Sequence, residues 1–355
     1  MTDAARATQI DVPDTLDAIE ECYRRGWSDG LPVIPPTAAR VTALLAHVGM
    51  APAHVLGEVP VRRRVLTAER AAANAVMAGC LPEHFPVLLA ALEALFEHDA
   101  NIVHEISAAT NAPGFLLLVN GPVRARIGLA CTDNVLSATN RANATIGRAL
   151  RLIFMNVFES RQGVLDRACM GSLSKNGVCF GEDEERSPWP PLQTTRGFTA
   201  ADSTVTMMSI QDPEMVGNRY GQTAESIMDA VADSIATHGL GVHFTFMENA
   251  WLWLVGHWHA EMLARAGWDR PRMQRYVFER AWRSRADLKR LGMMRGEIVP
   301  DDATARVPAA ASPDDILIVK AGGDSGIYST LIKIYIGMPA TTVRVREPHT
   351  ERSAR

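Results

Sequence analysis

The 355-residue chain is sparing with cysteine, with unbroken apolar runs and with net charge, and each shortage excludes something. Its five cysteines, Cys22, Cys80, Cys131, Cys169 and Cys179, are odd in number, widely spaced and free of any CxxC pair. That pattern argues against a disulfide framework and against a zinc ribbon, and leaves reduced thiols in a cytoplasmic setting as the expectation. A bilayer span needs roughly 20 consecutive apolar residues, whereas the longest apolar stretches here, 114–119 and 251–255, are far shorter. The opening MTDAARATQIDVPDT has no basic region followed by an apolar one, so no secretory signal is read there. A formal net charge of −4 gives no reason to expect a nucleic acid or an anionic membrane as partner.

What the chain does have is an ordinary globular composition, 47% hydrophobic and 21% charged, with helical and strand periods alternating along it. This predicts an α/β class: a mixed sheet with packed helices. Asp14 caps a helix over 15–25, Thr37 one over 38–47, and Thr67 one that closes at Gly79. Pro82 opens the next, and 138–157 is the clearest amphipathic helix. Strands are expected at 115–119, 204–210, 242–246 and 251–255, and helices at 222–237 and 271–291. The acidic, proline-rich 182–192 reads as an exposed connection, with a possible sub-boundary at 182–200. A main domain over 1–300, a linker at 301–313, a strand–helix–strand unit over 314–347 and a tail at 348–355 complete the layout. No internal repeat is evident.

Five places carry chemistry. Cys80 sits just before a helix start, where the dipole lowers a thiol's pKa and where His84 could assist; the alternative is a small residue filling a tight turn. Cys131 follows a strand-end turn at Asn120-Gly121-Pro122, beside Asp133 and Asn134, in the position where α/β proteins place ligands; the alternative is an ordinary loop thiol. Arg141, Asn143, Arg148 and Arg151 suit a carboxylate or phosphate, because guanidinium donates in planar pairs; the alternative is a solvated face with ion pairs. His257, His259 and Glu261 offer metal ligands at helical spacing, with His238, His243 and Glu248 as distant candidates, although no HExxH is present and a structural histidine pair is the competing reading. Gly322, Gly323 and Ser325 form a glycine turn after a strand, a backbone cradle for an anion or cofactor. Trp251, Trp253 and the methionine pairs read as core or subunit-contact residues.

The stretches GWSDGLPVIPPT, NAVMAGCLPEHFPVLLAAL, NGPVRARIG, NRANATIGRALRLI and ILIVKAGGDSG resemble a family of bacterial proteins carrying the UGSC-type domain, where U is selenocysteine or cysteine. They cover about half the chain. The resemblance implies a shared fold and catalytic ancestry, with a redox residue in or near the glycine turn. This chain departs there: Asp324-Ser325-Gly326-Ile327 holds no cysteine, so any reactive sulfur falls to Cys80 or Cys131.

Three functions follow as expectations. The first is a cytoplasmic enzyme on a small anionic metabolite, with Arg141 and Arg148 holding the anion and Asn120, Asp133, Asn134 and Asn143 shaping the pocket. In it Cys80 or Cys131 reacts and His259 is a spare base. The second is a metal-dependent lyase or hydrolase built on His257, His259 and Glu261. The third is a non-catalytic binding or scaffold subunit. A homo-oligomer is expected from the tryptophans at 251, 253, 258, 268 and 282.

Overall fold

The computed structural model describes residues 9–97, 102–138, 140–221, 223–238, 249–335 and 340–346. The first third is helical apart from one hairpin: α1 (Thr15–Arg24), α2 (Ala38–His47), β1 (Val55–Val59), β2 (Arg64–Thr67), α3 (Ala68–Ala78), α4 (Phe85–Phe96) and α5 (Ile102–Ala108). The caps are those expected: Asp14, Thr37 and Thr67 each accept a backbone N–H, and Gly79 closes α3 in the left-handed region. Next come β3 (Gly114–Asn120), α6 (Val123–Arg126), α7 (Arg141–Asn156), β4 (Val178–Gly181), β5 (Thr204–Ile210) and β6 (Glu214–Gly217). The remainder holds α8 (Ala224–His238), β7 (Ala250–Val255), α9 (His257–Arg265), α10 (Arg270–Arg280), β8 (Trp282–Ser284), α11 (Arg285–Arg290), β9 (Arg306–Pro308), β10 (Ile316–Lys320), β11 (Tyr328–Ile334) and β12 (Thr341–Arg344).

Among the described residues one mixed eight-stranded sheet organises the molecule, in the order β10-β7-β11-β5-β3-β4, with β12 added to β5 and β6 to β11. Its two ends meet: Asp183, just past β4, donates its N–H to the carbonyl of Lys320 on β10 at 3.0 Å. The sheet therefore curls toward a barrel. Leu116 of β3, Phe180 of β4, Leu252 of β7, Val319 of β10 and Ile332 of β11 share one inner apolar cluster. The outer faces of β3 and β5 pack on α3, α4 and α7, and those of β7 and β10 on α8, α9 and α10.

The sheet is two copies of one plan, a repeat the sequence does not display. Each half runs helix, strand, helices, parallel strand, then two further strands: α4-β3-α7-β4-β5-β6 and α8-β7-α10-β10-β11-β12. Corresponding hydrogen bonds recur. Glu182 N–H meets Val119 O as Ala321 N–H meets Val255 O, both at 3.2 Å. At the seam, where Ile210 faces Ile334, Gln211 N–H meets Lys333 O and Tyr335 N–H meets Ser209 O. The halves also exchange their last strands, β6 to β11 and β12 to β5.

Several expectations are corrected. The residues after the glycine turn form β11, not a helix, because Thr330–Ile334 pairs along β7 and Tyr328–Leu331 along β6. Instead of one helix over 271–291, a break at Ala281 gives α10, β8 and α11. The stretch 301–313 holds β9 and the fully buried Asp302, which accepts from Lys289 at 2.6 Å, and so is packed structure. The strand expected at 242–246 lies outside the described residues. Trp251, Trp253 and Trp268 are buried in the second half's core, whereas Trp258 is exposed and Trp282 half-buried. Among the described residues no single helix is long and apolar enough to cross a membrane.

Candidate functional site

The carboxyl ends of β4 and β10 meet where the halves join, and those of β3 and β7 flank them. Carboxyl ends of parallel strands are where α/β sheets expose loops to a ligand. Here they gather ionisable groups. Lys320, fully buried, pairs with the buried Asp183, whose Oδ2 also accepts from Arg186 Nε at 2.8 Å. These two cations hold the Asp183 carboxyl below its usual range against the opposing effect of burial.

Next to them lies Glu182, fully buried, whose Oε2 accepts from Asn120 Nδ2 at 2.6 Å and from Leu192 N–H at 2.8 Å. Its Oε1 has no hydrogen-bond partner, and the Arg270 guanidinium stands 3.9 Å off. Burial pushes this carboxyl up to about 7, outweighing those donors. Asn120 donates also to Glu184 Oε1 at 3.0 Å.

Arg124 knits the cluster to a thiol. Its Nη1 donates to Glu182 O at 2.6 Å and to Cys131 Sγ at 3.6 Å, and its Nη2 reaches Glu184 and Glu185, each at 2.9 Å. Cys131 is half-buried; burial raises its pKa while the Arg124 charge pulls it back. The Cys131 loop is held from both sides. Asn143 of α7 accepts from Ala130 N–H at 2.8 Å and donates to Ala130 O at 3.2 Å, while Cys131 O accepts from Gly322 N–H at 3.2 Å. Asp133 lies so close over Gly323 that a Cβ there would stand 1.8 Å from its Oδ1 and push that side chain aside. Trp258 at the start of α9 donates to Asp324 O at 2.6 Å, fixing the other side of the glycine turn. Ser325 is exposed on that turn, and Asn134, at φ 54°, turns the chain after Asp133.

Of the residues singled out in the sequence, Asn120, Cys131, Asp133, Asn143, Gly322 and Gly323 thus come together, with Ser325 and Asn134 at the rim. The arginines do not join them. Arg148 grips Asp29 through Nε and Nη2 at 2.8 and 2.7 Å and takes the carbonyls of Leu31 and Pro32. Arg141 donates to Gly79 O at 3.1 Å, and Arg151 faces Asp166 at 3.7 Å. Arg141 and Arg148 clamp the preceding loops to α7 and Arg151 faces the loop that follows it, which corrects their assignment to an anion.

Cys80 is corrected as well. It is buried, its thiol donates to Thr145 O at 3.4 Å, and burial pushes it up to about 12, opposite to the activation expected at a helix start. His84 Nδ1 turns back to accept from Leu81 N–H at 3.3 Å. The metal triad does not assemble. His257 leans on Glu261 at 3.4 Å, and Glu261 on Arg265, while His259 is buried against Ser329 Oγ at 2.7 Å with its pKa lowered by burial. Among the described residues no three His, Cys, Asp or Glu side chains gather as metal ligands. His238 pairs with Glu214; His243 and Glu248 lie outside the described residues.

Arg124, Glu182, Asp183, Arg186, Arg270 and Lys320 escaped the sequence reading. The available signal was EDEER following the short apolar run VCFG, which places charges at a strand's carboxyl end. Two hollows lie elsewhere, one of about 550 Å³ between α4 and β12 and an open one of about 660 Å³ beside β8. Neither includes this cluster; the first hollow's Glu93–Arg346 pair is exposed, whereas the Lys320–Asp183 pair is buried.

A scan of protein-family models finds no match to the chain, and a search of curated proteins likewise finds none. The likeness to the UGSC-type family rests on the motifs alone.

Proposed function

We propose that the chain is an enzyme acting on a small metabolite bound where β4 and β10 meet, with the Cys131 thiol as the reacting group. The observation that carries this reading is one half-buried thiol held against Arg124 at the strand ends, where Lys320 and Arg186 meet on the buried Asp183. Burying an ion pair such as Lys320–Asp183 adds little stability over an apolar pair of equal volume, and charges placed so are a mark of functional sites. Arg186 and the glycine turn meet the substrate's anionic group, and Arg124 stabilises negative charge on sulfur. The UGSC-type resemblance implies a redox residue in or near the glycine turn. In this chain the turn carries no thiol but is hydrogen-bonded to the loop that does.

The test is turnover of a cell-extract metabolite mixture followed by mass spectrometry. Wild type and Cys80→Ser deplete the same compound, whereas Cys131→Ser slows it by about a hundredfold or more. Full turnover by Cys131→Ser overturns the reading.

A further inference from the structure

Two fully buried acceptor oxygens beside the Cys131 loop find no donor among the described residues: Glu182 Oε1 and Asn120 Oδ1. They belong to side chains that already share a hydrogen bond, Asn120 Nδ2 to Glu182 Oε2 at 2.6 Å. Arg270 of α10 faces this carboxyl but spends Nε on Ile318 O at 3.0 Å and Nη2 on Pro190 O at 2.9 Å, and stops 3.9 Å from Oε1. Arg124 reaches only the Glu182 carbonyl. A buried oxygen left without a donor bears its full desolvation cost. A proton on Glu182 removes the first orphan and supplies the donor that the second lacks, so the pair is complete only in the acid form. Burial of the carboxyl acts in the same direction.

From this pair a line of hydrogen bonds runs to the thiol. Asn120 Nδ2 also meets Glu184 Oε1 at 3.0 Å, where Gly121 N–H donates at 2.7 Å. Glu184 Oε2 holds Arg124 Nη2 at 2.9 Å, and Arg124 Nη1 meets Cys131 Sγ at 3.6 Å. Glu185 draws on the same guanidinium at 2.9 and 3.2 Å, while Asp183 is taken by Lys320 and Arg186. An ionised Glu182 sets a charged oxygen beside Asn120 Oδ1 and adds a third negative charge to the group around Glu184 and Glu185. Turning the amide away relieves the first contact but strips a donor from Glu184, whose charge then weighs more heavily on Arg124. Both effects leave less positive charge for sulfur, and the thiol gives up its proton less readily.

We propose, resting on the enzyme reading above, that Glu182 is a positioning residue: its neutral acid form, closed on Asn120, keeps Arg124 available to the Cys131 sulfur, and its ionisation turns the thiol down. Being fully buried, Glu182 does not meet the substrate; it acts through Asn120, Glu184 and Arg124.

The experiment is the pH profile of Cys131 alkylation by iodoacetamide, read by peptide mass spectrometry on full-length wild type and Glu182→Gln, with exposed Cys169 as the internal reference. Glutamine is a permanently neutral copy of the acid form, with an N–H donor in place of the O–H. The two proteins should alkylate alike below about pH 6 and part above about pH 7.5, the glutamine variant running about three- to tenfold faster, which corresponds to about half to one unit in the thiol's pKa. Wild type should show a shoulder between those values, where its rate climbs less steeply than that of Cys169. Profiles that superimpose overturn the inference and leave the Cys131 enzyme standing. A constant factor between the two at every pH also overturns it, since a change of packing alone does that. A wild-type profile without the shoulder overturns it however the variant folds. A Cys131 that stays unalkylated in wild type throughout overturns it together with the enzyme reading, which Cys131→Ser turnover tests separately.

Discussion

At the end of β4 the chain carries Glu182 and Asp183; at the matching end of β10 it carries Ala321 and Gly322. At the end of β3 stands Asn120, and in its place after β7 stands Gly256. The strand-end hydrogen bonds correspond in the two halves, but one carries most of the ionisable side chains and the other few of them. The bare half has a steric reason at one position: a Cβ on Gly256 would lie 1.8 Å from Tyr328 O. The loaded half supplies the thiol, the guanidiniums and most of the carboxylates, while the bare half supplies Lys320, the glycine turn and Trp258. A duplicated scaffold can hold its closure geometry with backbone hydrogen bonds and leave the side chains of one copy free to become a site.

The largest effect expected from breaking this asymmetry is where β4 meets β10. Asp183→Ala leaves the Lys320 ammonium buried beside Arg186 without a counter-charge, and denaturant unfolding should show a loss of about 3–5 kcal/mol. Combining it with Lys320→Met should recover most of that. Next, giving Gly256 the smallest side chain, Gly256→Ala, forces the β7–β11 backbone apart and should cost about 1–3 kcal/mol, whereas Asn120→Ala at the matching position meets no clash.

The loaded half also brings a pH dependence that Ala321 cannot. Glu182 holds its proton up to about pH 7 in the folded chain, against about 4.5 when unfolded. Its contribution is therefore complete below pH 4.5 and is lost as pH rises through 7. Between those values stability should fall by about 1.4 kcal/mol per pH unit, and Glu182→Gln should flatten the slope in the same denaturation series. The smallest contrast concerns helix starts. The Asn140 side chain accepts from Ala142 and Asn143 N–H, whereas α9 begins at Gly256 with no side-chain cap. Asn140→Ala should cost about 1 kcal/mol by thermal unfolding.

Much of the local structure was legible because its causes are local. The caps at Asp14, Thr37 and Thr67, the stop at Gly79 and the buried run at β3 each follow from a few adjacent residues. The site was only half legible. Cys131, Asp133, Gly322 and Gly323 carry turn and thiol signals, but the acidic 182–186 looks solvated until the strand before it is seen to end inside the molecule. Arg148 and Arg141 misled for a related reason: a guanidinium suited to a ligand carboxylate is equally suited to Asp29 or to a helix-end carbonyl, and only tertiary contact tells which. Tyr328–Ile334 carries β-branched and aromatic residues fit for a strand; the glycine turn before it had suggested a helix instead. The repeat was invisible because the halves share hydrogen bonds rather than side chains.

The exchanged strands bear on how the chain comes off the ribosome. Val343 and Val345 belong to the apolar cluster beneath α4, and β12 is the strand that covers the free edge of β5. The N-terminal half therefore cannot close when its own last strand is synthesised. It waits, with α4 and β5 uncovered, until β12 has emerged, so truncation a few residues before Thr341 should unsettle the half farthest from the cut.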